Sequence, residues 1–247
     1  MNCLQIISSI KNRLSLIKDI LLLYIGSSKR SEGIKVVVLG GPRSGTSMLA
    51  NMVSLMGYNL GPDKWLKKPD INNRFGYFEC LPLARISEKI LRKSGGNFHN
   101  MPKLKDGWIN DFDKEKQFIK KVVKFGNIEV YKDNYLMLLA DLYNVLFPRS
   151  KWIYIKRSIN ETYKSRFGRS LSFSEWEELS NERAEKWHKA IASRNALELD
   201  YSDFKYDLVS TINKIAKYLE INLSSEQVKA CKKIFKPTDN YVKKIIK

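Results

Sequence analysis

Residues 34–47 read I-K-V-V-V-L-G-G-P-R-S-G-T-S, and this stretch decides the fold. Its first six residues are mostly β-branched, which is typical of a strand buried on both faces of a parallel sheet. A glycine-rich turn follows at 40–45, and the pattern from 46 to 56 predicts a helix. Backbone N–H groups at the start of such a helix, with the helix dipole behind them, form a cradle for an anion. The stretch therefore predicts a strand, a phosphate-type loop and a helix.

The rest of the chain alternates between strand and helix patterns. Runs rich in β-branched and aromatic residues predict strands at 128–132, 151–156 and 196–200. Helical spacing of apolar residues predicts helices at 136–146, 161–166, 174–195 and 208–219. Such alternation is typical of a parallel sheet covered on both faces. We therefore predict the α/β class, with a central parallel β-sheet flanked by helices in a P-loop-containing, nucleotide-binding type of fold.

A polar, turn-rich segment at 26–33 marks a domain boundary. We predict an N-terminal amphipathic extension at 1–33 and one domain at 34–247, which ends in a lysine-rich helix and tail at 228–247. The apolar run at 20–25 is far shorter than the roughly 20 residues needed to cross a bilayer. No small-residue cleavage site of a signal peptide accompanies it. Packing on the domain, pairing of two chains and peripheral contact with a membrane are all open as roles of the extension.

The composition favours an anionic partner and a reducing compartment. Lysine and arginine together number 44 against 26 acidic residues, a formal net charge of +18. Such a field concentrates nucleotides, nucleic acids, acidic glycans or anionic lipids, although an AT-rich genome also raises the lysine content. The dispersed Cys3, Cys80 and Cys231 suit a reducing compartment, so we expect a cytoplasmic protein. With only two histidines, a histidine-rich metal site is excluded, and we expect no metal.

The loop lacks the lysine of nucleoside-triphosphate loops. Those loops read G-x-x-x-x-G-K-[ST], and their lysine reaches the β- and γ-phosphates. Gly40 and Gly45 have the same spacing here, but Thr46 and Ser47 follow directly. A cation is present inside the loop instead, as Arg43. A kinase or ATPase built on this loop would lose its main phosphate contact, whereas the anion cradle is retained.

Residues 41–47, G-P-R-S-G-T-S, resemble the 5′-phosphosulfate loop of sulfotransferases that use 3′-phosphoadenosine-5′-phosphosulfate (PAPS). The arginine-containing form is similar to that of the small bacterial and tyrosyl-protein branches, whereas many other members carry lysine at the Arg43 position. The resemblance implies the sulfotransferase fold and PAPS as co-substrate, with 3′-phosphoadenosine-5′-phosphate (PAP) as product and no metal. It also implies that the loop amides and five residues hold the phosphosulfate: Arg43, Ser44, Gly45, Thr46 and Ser47.

Two further segments extend the resemblance over about residues 35–223. Arg157 ends a predicted strand and Ser165 lies eight residues later, as in the 3′-phosphate site of this family. An arginine offers a forked donor to a phosphate, and a serine adds a hydroxyl. Tyr201, within L-D-Y-S-D-F, resembles an aromatic residue near the adenine, although a core tyrosine is an equal interpretation. The C-terminal Arg-Lys-Gly motif of cytosolic-type members is absent. Lys233 or Lys236 are therefore candidates for further 3′-phosphate contacts that no motif supports.

The resemblance also implies catalytic residues. Lys132, in Y-K-D-N, matches the lysine near the leaving oxygen, while the histidine base found nearby in cytosolic-type members is missing. Asp133 occupies the place of the aspartate in the Lys-Asp-Pro of bacterial relatives and is expected to orient the loop. Glu79, in R-F-G-Y-F-E, resembles the glutamate base of other branches. The catalytic set is then Glu79, Lys132 and Arg43. A structural role for Glu79, in contact with a backbone group or Arg74, is the alternative.

Neither histidine is expected to replace Glu79 as the base. His99 lies in a glycine-containing loop, where no spacing rule places it in the site, and His188 is expected to be packed or on the surface. The expected reaction is transfer of the sulfuryl group of PAPS to a hydroxyl or amine of a glycan, lipid, phenol or peptide tyrosine. Its acceptor site is expected at the loops 65–79, 95–108 and 167–176. A phosphate-loop kinase of a small molecule, a basic nucleic-acid-binding protein and an inactive sulfotransferase-like scaffold are the alternatives; no nucleic-acid partner is expected.

Overall fold

The computed structural model describes residues 32–70, 73, 75–97, 100, 102–165, 171–192 and 194–235. Most of the predicted extension, the end of the basic tail and several loop positions lie outside these residues. Among the predicted positions outside are Arg74, His99 and Lys236.

A parallel sheet of four strands forms the centre of the described structure. The strands are β1 (Val36–Gly40), β2 (Val130–Lys132), β3 (Lys151–Lys156) and β4 (Leu197–Asp200). Their order is β2-β1-β3-β4, and every neighbouring pair is parallel. Residues 36–39 are at most 1% exposed, because both faces of β1 are covered. The predicted α/β class and the central parallel sheet flanked by helices are confirmed.

Nine helices follow these strands within the described residues. They are α1 (Thr46–Leu55), α2 (Leu81–Lys93), α3 (Asp113–Gly126), α4 (Leu136–Leu146), α5 (Ile159–Lys164), α6 (Phe173–Ala192), α7 (Tyr201–Tyr206), α8 (Leu208–Leu219) and α9 (Ser225–Ile234). Short 3₁₀ helices occur at Asp63–Trp65 and Trp108–Phe112.

The helices cover the sheet with two hydrophobic clusters, one on each face. Val37 and Leu39 of β1 point into the cluster with α2, α3 and α4. Val36 and Val38 point into the cluster with α1, α8 and α9. Successive side chains of a strand point to opposite faces, so the continuous apolar run of β1 supplies both clusters.

Three of the helices, α2, α3 and α7, lie where no helix is predicted above. Leu83, Ile86 and Ile90 nevertheless recur at helical spacing and form the buried face of α2. The predicted strand at 128–132 begins later, at Val130, and the backbone N–H groups of Glu129 and Val130 both donate to the carbonyl oxygen of Asn59. No helix in the described part of the chain is both long and apolar enough to cross a membrane.

Candidate active site

The sheet brings the predicted site residues to one edge. Gly40 at the end of β1 is paired with Ile155 near the end of β3, and Lys132 at the end of β2 is paired with Val38. Parallel strands end at the same edge of a sheet, and that edge is where α/β proteins bind ligands. The loop after β1, the lysine at the end of β2 and the arginine after β3 therefore share one region.

The loop between β1 and α1 requires glycine at two positions. A Cβ on Gly40 would lie 2.6 Å from the carbonyl oxygen of Ile155 and from Ser44 Oγ. Gly45 has a φ of 107°, which favours glycine, and a Cβ there would lie 2.8 Å from the ring of Tyr201. The two glycines let the loop turn tightly against β3 and α7.

The loop has the chemistry of an anion cradle. Ser44 is only 2% exposed, and its Oγ has no hydrogen-bond partner among the described residues. A buried hydroxyl without a partner costs free energy unless it is given one. The first turn of α1 carries no acidic side chain, so its N–H groups and the helix dipole favour an anion. These residues therefore fit the phosphate or sulfate end of a nucleotide.

The loop and the predicted 3′-phosphate site are in direct contact. Arg43 Nε lies 3.1 Å from the carbonyl oxygen of Ser165 and 3.4 Å from its hydroxyl. Arg157 Nη1 donates to the carbonyl oxygen of Arg43 over 3.2 Å. The side chain of Arg43 thus extends from the loop towards Ser165, which the sequence had assigned to the opposite end of the same nucleotide. The two predicted anion sites adjoin each other.

Arg157 is held in place by its surroundings. Its side chain is 5% exposed, and its guanidinium carbon lies 4.0 Å from the centre of the Tyr201 ring. Its Nε lies 3.6 Å from a carboxylate oxygen of Glu161, which also pairs with Lys205. Tyr201 is 4% exposed and packs against Phe235 as well. Tyr201 therefore acts as a packing residue beneath Arg157 and Gly45, and its contact with adenine stays a prediction.

The predicted base and the predicted leaving-group lysine form a buried ion pair. Lys132 Nζ lies 2.6 Å from Glu79 Oε1, and the two side chains are 5% and 7% exposed. Asn134 Nδ2 lies 3.4 Å from the same carboxylate oxygen, and Lys67 Nζ lies 3.7 Å from the other. Glu79 contacts these side chains at the edge of the sheet where β2 ends.

Asp133 directly follows Lys132, in the short segment between the end of β2 and the start of α4. It is buried, and its carboxylate accepts from the hydroxyl of Tyr131 at 2.7 Å and from the backbone N–H of Tyr135 at 3.1 Å. Burial raises the pKa of Asp133 to about 6, against the opposing effect of the Tyr131 hydrogen bond. The Tyr131 hydroxyl is further bonded to Ser87 of α2. This network fixes the backbone on both sides of Lys132.

Residues 66–80, which we call the strap, carry Glu79 to the site. An antiparallel bridge between Leu66 and Cys80 closes the strap, and Lys67 N donates to the carbonyl oxygen of Glu79 at 2.9 Å. Lys67 Nζ lies 3.8 Å from the centre of the Tyr77 ring. Burial and a hydrogen bond to an aspartate raise the pKa of Tyr77 to about 12. The tyrosine therefore stays neutral at physiological pH.

His188 and Lys233 are two further candidate residues that the structure describes. The ring of His188 packs at 5.9 Å from that of Tyr154, in line with the packed or surface position predicted for it. Lys233, near the end of α9, is exposed. In the described part of the chain, no group of His, Cys, Asp and Glu side chains could hold a metal ion.

Three residues of the site were not predicted from the sequence. Lys67 and Asn134 contact Glu79, and Asn73 Nδ2 donates to Ser47 Oγ at 3.2 Å. Asn134 directly follows the motif Y-K-D, so adjacency in sequence could have found it. Lys67 and Asn73 lie in the loop 65–79, where the acceptor site is expected, but no local pattern singles out either residue.

Comparison with known proteins shows the family. The sequence model described as "Sulfotransferase domain" matches residues 34–236. The chain belongs to the sulfotransferase family. Membership indicates a transferase of the EC 2.8.2 type. No curated protein matches the sequence significantly.

Solved sulfotransferase structures share the fold at low sequence identity. A sulfotransferase from Mycobacterium tuberculosis H37Rv is 13% identical with a TM-score of 0.55, over 81% of this chain and 70% of that one. A sulfotransferase from Mycobacterium avium is 12% identical with a TM-score of 0.50, over 89% of this chain and 71% of that one. A mouse sulfotransferase complexed with PAP is 15% identical with a TM-score of 0.43, over 82% of this chain and 63% of that one. The two mycobacterial structures support the sulfotransferase fold.

Proposed function

We propose that this protein transfers the sulfuryl group of PAPS to a hydroxyl or amine acceptor and releases PAP. The observation that carries the proposal is the contact between the two anion sites. Arg157 donates to the backbone of Arg43, and Arg43 donates to Ser165. A nucleotide with phosphate groups at both its 5′ and 3′ positions is a ligand that needs two adjoining anion sites. An ATP-type ligand needs only the loop.

The loop is the proposed site for the 5′-phosphosulfate. The N–H groups of the first turn of α1 and the buried hydroxyl of Ser44 supply neutral donors. Thr46 and Ser47 add hydroxyl groups at the start of the helix. Arg43 adds the positive charge that a lysine supplies in nucleoside-triphosphate loops.

Arg157 and Ser165 are the proposed site for the 3′-phosphate. Arg157 is buried and stacked on Tyr201, so it is already oriented before a ligand arrives. A preoriented arginine loses less conformational entropy when it binds a phosphate. Since Arg43 also reaches Ser165, we assign Arg43 to both ends of the nucleotide.

The catalytic step requires a base for the acceptor proton and a cation for the leaving oxygen. The bond between sulfur and the bridging phosphate oxygen breaks, and that oxygen leaves with PAP. The acceptor oxygen or nitrogen forms the new bond to sulfur and loses its proton to Glu79. Lys132 stabilises the negative charge that develops on the leaving oxygen. Positioning and electrostatic stabilisation then account for most of the rate, as in phosphoryl transfer.

The ion pair between Glu79 and Lys132 is compatible with these roles. A phosphosulfate is a second anionic partner for Lys132, and a shift of its ammonium towards that partner exposes Glu79 Oε1. The acceptor approaches Glu79 from the side of Lys67, because Lys67 is 40% exposed whereas Lys132 is 5% exposed. Glycans, lipids, phenols and peptide tyrosines all carry a hydroxyl that could reach this carboxylate. The buried free thiols of Cys80 and Cys231 support action in a reducing compartment such as the cytoplasm.

Calorimetry with two nucleotides tests the donor. We expect PAP to bind without metal, and ATP with Mg²⁺ to bind at least tenfold more weakly. Preference for ATP with Mg²⁺ would instead identify a kinase. Incubation with isotopically labelled PAPS and a panel of acceptors, followed by mass spectrometry, then identifies the acceptor class. Salt-sensitive binding of random DNA without binding of PAP would contradict the proposal.

A further inference from the structure

The side chain of Asn73 contacts the loop at the end where the transferred group is expected. Asn73 Nδ2 lies 3.2 Å from Ser47 Oγ, in the first turn of α1. Ser47 has the place of the Ser/Thr that ends the G-x-x-x-x-G-K-[ST] loop. In that loop the hydroxyl holds the Mg²⁺ ion that bridges the β- and γ-phosphates, between which the bond is broken. The amide of Asn73 therefore lies at the reacting end of the loop.

Hydrogen bonds between Asp70 and Asn73 hold Asn73 in this position. Its backbone N–H lies 3.0 Å from Asp70 Oδ1, and the backbone N–H of Asp70 donates to the Asn73 carbonyl oxygen at 3.3 Å. Tyr77 donates its hydroxyl to Asp70 Oδ1 at 2.7 Å. These bonds orient Asn73, so its amide does not have to be ordered when a ligand binds.

We infer that Asn73 is a further catalytic residue, whose side-chain amide donates a hydrogen bond to an oxygen of the sulfuryl group under transfer. The inference rests on the proposed function. A primary amide has two N–H bonds, and one of them is directed at Ser47. The other can donate to a sulfuryl oxygen. Because the amide is neutral, it stabilises charge there without competing with Arg43 or Lys132 for the phosphate oxygens.

In the reaction, Asn73 neither gains nor loses a proton. Sulfur exchanges its bond to the leaving phosphate oxygen for a bond to the acceptor, whose proton goes to Glu79. The sulfuryl oxygens stay on sulfur throughout. A donor on the strap can therefore remain hydrogen-bonded to one of them while the group moves from PAPS to the acceptor. Glu79 lies on the same strap, which keeps this donor and the base together.

The difference between PAPS and PAP tests the inference without knowledge of the acceptor, because only PAPS carries a sulfuryl group. We would measure both affinities by calorimetry for the wild type, Asn73→Ala and Asn73→Asp. Asn73→Ala should weaken PAPS binding about tenfold and leave PAP binding unchanged, since a hydrogen bond to a charged group is lost. Asn73→Asp should weaken PAPS binding further, because its carboxylate repels the sulfuryl oxygens.

Equal losses for both ligands, or no loss for either, would overturn the role of Asn73. Failure of the wild type to bind either ligand would overturn the proposed function instead, so the two failures are distinguishable. Tyr77→Phe is the matched control, because it removes the hydrogen bond to Asp70 and keeps the amide of Asn73. We expect it to preserve the ratio of the two affinities; a loss of PAPS binding equal to that of Asn73→Ala would assign the effect to the bonds around Asp70 and refute the inference.

Discussion

Replacement of Arg157 by alanine should weaken the binding of PAP. The substitution removes the forked donor that we assign to the 3′-phosphate, and a hydrogen bond to a charged group contributes about 1.5–3 kcal/mol. PAP affinity should therefore fall about tenfold to hundredfold. Glu161 is not left as an isolated charge by the change, because Lys205 still pairs with it. The loss should consequently reflect the ligand contact more than a disturbed fold.

Calorimetric titration of PAP measures this loss, and Arg194→Ala provides a matched control. The side chain of Arg194 is 8% exposed, lies 4.7 Å from the ring of Trp152 and pairs with Asp141. It resembles Arg157 in burial and stacking, but Trp152 lies near the start of β3, at the opposite edge of the sheet. Unchanged PAP affinity in Arg157→Ala, or an equal loss in Arg194→Ala, would refute the assignment of the 3′-phosphate site.

Three further changes probe the base, the loop and the buried carboxylate. Glu79→Gln should abolish turnover in the labelled-PAPS assay while PAP affinity stays within about twofold, because only the base is removed; turnover near the wild-type rate would exclude Glu79 from the mechanism. Gly45→Ala should lower the free energy of unfolding by about 1–3 kcal/mol in urea titrations, since its φ is 107° and the new Cβ meets the Tyr201 ring; an unchanged midpoint would contradict this. Burial raises the pKa of Asp133 to about 6, above the ordinary value of 3.8, so the folded state binds more protons than the unfolded state between about pH 4 and pH 6. The contribution of Asp133 to stability therefore grows as the pH falls through that window, and Asp133→Asn should be more stable than the wild type above pH 6, by up to about 3 kcal/mol, with the advantage shrinking towards pH 4; a pH-independent difference would contradict the argument.

The sheet and the loop could be predicted because their signals are local. The apolar run of β1, the glycine spacing of the loop and the helix after it lie within one short stretch, and the structure has them there. The predictions for β3 and for α4 and α8 also agree closely with the observed bounds. The family match over residues 34–236 confirms the resemblance that these motifs carried.

The side-chain arrangement of the site could not be predicted because it depends on long-range contacts. The bond between Arg43 and Ser165 spans 122 positions, and the pair of Lys132 and Glu79 spans 53. Two separate motifs indicated Lys132 and Glu79, and the bridge between Leu66 and Cys80 fixes the strap beside Glu79. The position of Asn73 depends on its hydrogen bonds with Asp70. The residue types were therefore readable from the sequence, whereas their pairing was not.

The position of β1 inside the sheet couples unfolding of the protein to loss of the candidate site. The loop begins on β1, which is hydrogen-bonded to β2 and β3, and those strands end in Lys132 and lead into Arg157. Separation of β1 from its neighbouring strands would disrupt both hydrophobic clusters. It would also move the loop, Lys132 and Arg157 apart at the same time. Amide hydrogens of β1 should thus exchange only through global unfolding. A destabilising substitution far from the candidate site would then lower the fraction of folded protein. The affinity of each folded molecule for its ligand would stay unchanged.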